Sequence, residues 1–173
     1  MLFGTENIEF EILESIHHIT SSDLLDFLVP RISWLGNSGL IWIVLAIVLI
    51  ATKKYRRTGI ALSAGLILCL VFGNIFLKNI IARPRPCWMF DAPNMLIPIP
   101  EDFSFPSGHT YSSFLSAFVI LTQNKKWGIV TLCGAIIMAF TRLYLFVHFP
   151  TDILGGIILG AVIFFIVKKL LKK

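Results

Sequence analysis

Five apolar runs, at residues 32–52, 59–77, 108–122, 127–146 and 150–167, leave this chain few ways to fold. Each approaches the ~17–25 residues with which an α-helix crosses the hydrocarbon of a bilayer. Inside lipid every backbone N–H and C=O must be satisfied by the chain itself, so apolar runs of this length read as helices. Short connections at residues 53–58 and 123–126 make neighbouring spans antiparallel. Composition closes off the alternatives, because 56% of the 173 residues are hydrophobic and 14% are charged. That is too little polar surface for a water-soluble globule and too much apolar surface for a disordered chain. The expected architecture is an all-α integral membrane protein of one domain. Residues 31–173 form a helical bundle of about five transmembrane helices, and residues 1–30 form an N-terminal amphipathic interfacial helix.

In that N-terminal segment Ile8, Ile12, Ile16 and Ile19 fall at helical spacing, flanked by Phe10 and Leu13, and acidic residues take much of the remainder. The pattern fits a helix lying on a membrane surface, with a partner-binding helix as the alternative. His17 and His18 read as part of its solvated face. The net charge of +5 reports topology and not a nucleic-acid partner. Its basic clusters, Lys53/Lys54/Arg56/Arg57, Lys125/Lys126 and Lys168/Lys169/Lys172/Lys173, stand at the ends of apolar runs, where cytoplasmic loops collect Lys and Arg. With those clusters and the C-terminus inside, the N-terminus, the loop at residues 78–107 and the turn at residues 143–150 lie on the extracytoplasmic side. Cys69, Cys87 and Cys133 have no metal or redox spacing.

The outer side holds nearly everything capable of chemistry. Lys78 ends the second span and is followed by Arg85-Pro86; Pro106-Ser107-Gly108-His109 opens the third; Arg142 closes the fourth, with His148 and Asp152 beyond it. Singly, Lys78 reads as a snorkelling span-end residue and a lone histidine as a helix contact. Together, at three helix ends of one leaflet, such charges read as a functional site.

The three blocks resemble the signature of the type-2 phosphatidic acid phosphatase family, whose relatives include vanadium haloperoxidases and bacterial acid phosphatases. In that signature Lys precedes Arg-Pro by six intervening residues, Pro-Ser-Gly-His follows, and Ser-Arg then leads to His and Asp. Here the third block is Thr141-Arg142, His148 and Asp152, with Thr141 in place of the usual Ser and its hydroxyl kept.

The resemblance implies that His148 is the nucleophile, forming a phosphohistidine, and that Asp152 orients its ring and stabilises the imidazolium. It implies that His109 is the general acid and base, and that Lys78, Arg85, Arg142, Ser107 and Gly108 bind the substrate phosphate. Ser107 and Gly108 sit at a helix start, where free N–H groups favour an anion. Arg83 remains as an extra cation, either an interfacial arginine or a contact for a second phosphate. No metal site and no cofactor are expected.

The implied activity is hydrolysis of a lipid phosphate or diphosphate, with undecaprenyl diphosphate favoured over phosphatidylglycerophosphate, phosphatidic acid or lipid A phosphate. The lipid substrate and the bilayer are the expected partners. A non-catalytic lipid-binding protein of this fold is the competing class, but it would be expected to lack His148, His109 or Arg142. The loop at residues 87–100, apolar yet broken by prolines, reads as an interfacial flap dipping Trp88, Met89 and Phe90 into lipid.

Overall fold

A computed structural model describes residues 4–92 and 95–171; Lys172, Lys173 and the middle of the flap lie outside the described residues. The described chain is helical. Its helices are α1 (Glu6–Thr20), α2 (Asp23–Leu35), α3 (Leu40–Ala51), α4 (Arg56–Cys69), α5 (Lys78–Ile81), α6 (Pro86–Met89), α7 (Gly108–Leu121), α8 (Lys125–Tyr144) and α9 (Pro150–Val167). A π-helical stretch, Leu70–Leu77, joins α4 to α5 without a break.

Three helical runs are long and apolar enough to cross a membrane: Lys53–Met89, Lys125–Tyr144 and Pro150–Leu171. A fourth results if α2 and the helix after it form one bent span, since Asp23–Leu35 and Asn37–Ala51 meet at 45°. The continuous first span expected at residues 32–52 is therefore broken. Gly36-Asn37-Ser38-Gly39 interrupts it, with Ser38 and Gly39 in the left-handed region at φ 53° and 69°. Those residue types favour turns even inside an apolar run.

The 14-residue α7 is short for a span and occupies the centre of the bundle. Leu115, Ala117 and Val119 on it are completely buried, packed by α4, α8 and α9. Gly156 and Gly160, one turn apart on α9, let that helix approach closely. A Cβ on Gly160 would stand 2.8 Å from the Tyr111 carbonyl oxygen, and one on Gly156 would stand 3.0 Å from that of Ser107. Small residues spaced four apart permit this backbone-to-backbone packing in membrane helices. It brings the start of α9 against the start of α7, where the Ser107 amide donates to the Asp152 carbonyl at 3.1 Å. On the other flank, Trp42 Nε1 donates to Ser113 Oγ at 3.0 Å and ties α3 to α7.

The helix α1 is amphipathic but carries only two of its four acids, Glu11 and Glu14, in solvent. Glu6, Glu9, Phe10 and Leu13 form the face buried against the protein, whereas Ile8, Ile12 and Ile19 point outward. His17 is half-buried too, its ring 5.3 Å from that of Tyr144 and 5.4 Å from that of Phe146. The flap also differs from expectation. Phe90 stacks on Phe10 at 4.2 Å and Met89 joins the same cluster, so both close over the α8–α9 turn. Trp88 alone of the three stays exposed.

Candidate active site

The α8–α9 turn carries His148 and is buried from Leu145 to Phe149. Pro150 occupies the first position of α9, as a missing N–H there costs nothing. One turn of helix then sets Asp152 beside His148, with Oδ2 at 3.4 Å from Nδ1. The same oxygen accepts from the Phe149 amide at 2.7 Å and from the Ser104 hydroxyl. Those donors fix the carboxylate within the first turn of α9.

On the opposite edge of the ring, Arg85 Nη1 lies 3.2 Å from His148 Nε2 and also donates to the Val147 carbonyl at 2.7 Å. A guanidinium can only donate, so this network assigns the lone pair to Nε2 and the proton to Nδ1. Burial, compounded by Arg85, Arg142, Lys78 and His109, holds the imidazole well below the usual histidine range. The ring is neutral, with its Nε2 lone pair on the side of the cations.

Arg83 and Arg85 both precede prolines, which forces an extended backbone. This backbone, with Arg85 at φ −83° and ψ 155°, is close to polyproline II, whose three residues per turn send side chains two apart in different directions. Arg85 accordingly lines a cavity with His148, while Arg83 turns behind Asp152. Arg83 is fully buried and bonds Asp152, Thr151 and Glu9. The expectation of a second-phosphate contact at Arg83 is corrected by this burial among Asp152, Thr151 and Glu9, since Arg83 does not line the cavity.

The cavity has a volume of about 970 Å³. Lys78, Arg85, His109, Arg142 and His148 converge at its polar end, with Gly108 beside them. Ser107 is buried next to it, its hydroxyl accepting from Thr110 Oγ1 at 2.9 Å, and is not part of the wall. Ile43 and Ile47 of α3 with Leu66 and Ile67 of α4 form an apolar end, and three of these four are themselves exposed, so the cavity opens sideways there.

Besides Ser104 and Thr151, four contributors to the site escaped the motif reading. Ser33 and Asn37 come from the break after α2. His109 Nε2 lies 3.2 Å from the Ser33 carbonyl and 3.1 Å from Asn37 Oδ1, so this nitrogen carries the proton. Ser33 Oγ also meets Arg142 Nη1. A Cβ on Gly36 would stand 2.6 Å from His109 Cδ2, so the break must be tight where it touches the histidine. The turn-forming run at residues 36–39 was the available signal.

Asp102 bridges the cations, with Oδ1 2.6 Å from Arg85 Nη2 and Oδ2 on Lys78 Nζ. Burial alone would raise its carboxyl, but Arg85 and Lys78 outweigh that and hold it at about 2. The Asp102 side chain is 56% exposed, the most accessible charge in the cluster. Glu9 is the fourth contributor. Burial opposes its charge as well, but hydrogen bonds from Thr5, Thr151 and Arg83 keep its carboxyl below the usual range. Arg142 Nε is buried without an acceptor among the described residues. Such an orphan donor beside two further cations suits an anion.

Known proteins share sequence and fold with this chain. Residues 58–173 match the PAP2 superfamily. Undecaprenyl-diphosphatase of Sulfolobus acidocaldarius is 29% identical over 96% of this chain and 81% of its own length. Phosphatidylglycerophosphatase B of Bacillus subtilis is 34% identical over 91% of this chain and 73% of its own. The crystal structure of Aquifex aeolicus LpxE superposes with a TM-score of 0.80 at 29% identity, covering 92% of this chain and 93% of that one. The chain belongs to the PAP2 superfamily, and its three motif blocks are the three helix ends that meet at the cavity.

Proposed function

We propose that this protein is a multi-pass membrane phosphatase that hydrolyses a lipid phosphate or diphosphate through a phosphohistidine on His148. One observation carries the reading. A neutral histidine, its Nε2 lone pair on the side of three cations and its Nδ1 backed by a carboxylate, stands at the polar end of a cavity whose other end is apolar and open sideways.

In this reading Nε2 of His148 attacks phosphorus, and the bond to the lipid oxygen breaks as the P–N bond forms. Asp152 stabilises the positive charge that develops on the ring. Lys78, Arg85, Arg142 and the Gly108 amide hold the phosphoryl oxygens, with Ser107 supporting that turn. Asp102 leaves the cations as the phosphate arrives. His109 protonates the leaving oxygen, then takes a proton from the water that cleaves the P–N bond and frees His148.

The apolar wall between α3 and α4 suits a long hydrocarbon tail passing into lipid. Undecaprenyl diphosphate is the favoured substrate, supported by the name of the Sulfolobus relative and by the expected outward-facing site. Counting the bent α2–α3 pair and the short α7 as crossings gives five, which supports a topology with the basic clusters on the cytoplasmic side and the site on the other. The helix α1 then lies at the outer interface with its isoleucines toward lipid.

Phosphate release in detergent with EDTA present tests the reading. Undecaprenyl diphosphate, phosphatidylglycerophosphate and phosphatidic acid are compared, with His148→Ala as control. Release by the wild type from at least one lipid and none by the variant is expected, with undecaprenyl diphosphate turned over fastest. Release that survives in His148→Ala would rule out the proposed nucleophile.

A further inference from the structure

Behind Asp152 the charges continue in a direction that the motif blocks do not include. Arg83 Nη1 donates to Asp152 Oδ1 at 2.7 Å, and Nη2 donates to Glu9 Oε1 at 2.9 Å. The guanidinium lies 4.2 Å over the Phe149 ring. The other oxygen of Glu9 accepts from the Thr151 amide at 3.0 Å and the Thr151 hydroxyl at 2.7 Å. One α1 carboxylate thus holds both the cation behind Asp152 and a free N–H of the α9 turn that carries Asp152. Arg83 and Asp152 are completely buried, and Glu9 is 4% exposed. Charges interact far more strongly in such a dry cluster than in water.

The sign of the cluster decides what Glu9 contributes. Arg83 beside Asp152 offsets the negative charge that favours an imidazolium at His148. Glu9 cancels Arg83 in turn. The two carboxylates and one guanidinium therefore carry one net negative charge against the neutral ring, and they balance it as the ring becomes positive. Without the Glu9 charge, the ring would become positive with no net counter-charge behind it. It already faces Lys78, Arg85, His109 and Arg142 in front, with Asp152 its direct carboxylate neighbour.

We propose that Glu9 is a positioning residue for phosphoryl transfer at His148, acting through Arg83 and Thr151 on Asp152, so that α1 completes the active site. This inference rests on His148 being the nucleophile. Glu9 lies outside residues 58–173, the part of the chain that matches the family.

The test uses the full chain in detergent with undecaprenyl diphosphate as the probe. Glu9→Gln keeps the shape and an acceptor oxygen but removes the charge. Its kcat is expected to fall about tenfold or more, the equivalent of one pK unit at the ring, with KM changed less than about twofold. The acid limb of kcat/KM should move to lower pH, because the imidazolium of His148 is harder to form; ionisation of the substrate is common to both enzymes. Adding Arg83→Met to Glu9→Gln restores the net charge of the cluster and should recover part of the lost kcat, a coupling that a double-mutant cycle measures. The limb is independent of the amount of folded enzyme. An unchanged kcat overturns the proposal, and so does a fall in kcat with an unmoved acid limb and no recovery in the double variant. His148→Ala in the same series separates the two readings. If it is inactive while Glu9→Gln behaves as wild type, only the role of Glu9 fails; if it is active, the nucleophile assignment fails.

Discussion

The two edges of the His148 ring are built on opposite plans. On the Nε2 edge, cations line a cavity and are bridged by Asp102, a half-exposed loop carboxylate. On the Nδ1 edge, Asp152, Ser104, Arg83, Thr151 and Glu9 form a dry network from four separate parts of the chain. In the proposed reaction, the difference follows from what each edge must do. The front exchanges one phosphate for another, so its contacts must be replaceable, and a carboxylate with two oxygens on two cations is a fair substitute for an anion. The back must hold one carboxylate still while charge builds on the ring, so replaceable contacts there would lose the orientation that electrostatic catalysis depends on.

This contrast predicts different kinetic signatures. The largest effect belongs to the back. Asp152→Asn is expected to lower kcat by on the order of 10³–10⁴, as for other histidines that lose their orienting carboxylate, with KM nearly unchanged. Steady-state kinetics on a lipid diphosphate would check this, and a rise in KM as large as the fall in kcat would erase the distinction between the edges. On the front, Arg85→Ala should cost about 10²–10³ in kcat/KM with a large share in KM, because the group binds the phosphate before and during transfer. Gly36→Ala comes next. Its new methyl would meet His109 Cδ2 at 2.6 Å and push the proposed general acid off its contacts with Ser33 and Asn37. A displacement of that order costs about 10²-fold when chemistry is limiting. Substrates with a better leaving group should be affected less, and equal losses would argue against a role for His109 in protonating the leaving oxygen.

Asp102→Asn should act in the other direction. Without its charge on Lys78 and Arg85, inhibition by inorganic phosphate should tighten by roughly threefold to tenfold, up to about one pK unit of competition. With the carboxyl held at about 2, the effect should be the same from pH 6 to pH 8. Weaker phosphate inhibition would make Asp102 a support for the cations and not a placeholder.

How far the sequence reached follows the same division. The front was legible because its residues recur at fixed short spacings, and Arg85, His109, Arg142 and His148 all meet the one cavity. Ser107 was read onto the phosphate but is turned toward Thr110. The back was only half legible. Asp152 follows from its four-residue distance to His148, whereas the different directions of Arg83 and Arg85 were not legible, since residues two apart in an extended strand share a face. Glu9 was beyond reach, because its partner lies 74 residues away and no local period records that pairing. Its own helix gave no pointer, since the isoleucine stripe marks the outward face and Glu9 lies on the buried one. The helix count was obscured for a related reason. Hydropathy reads residues 108–122 as a span, whereas the helix there has 14 residues and is almost wholly buried inside the bundle.

The smallest expected effect is on stability. His148 is held neutral in the fold, with its pKa below the ~6.5 of an unfolded histidine. Its contribution to stability is therefore intact above pH ~6.5 and is lost as pH falls below that value, by at most about 1.4 kcal/mol per pH unit. His148→Gln should flatten the fall in Tm between pH 7 and pH 5. An unchanged slope would mean that the ring is protonated in the folded protein.

The central claim, transfer through Nε2 of His148, is tested most directly by trapping the intermediate. The protein is mixed with ³²P-labelled undecaprenyl diphosphate, quenched in base within one turnover, and digested. The account predicts an acid-labile phosphopeptide containing His148, present in the wild type, absent in His148→Ala, and cleared as labelled phosphate is released. Label on another residue, or turnover by His148→Ala, would contradict it.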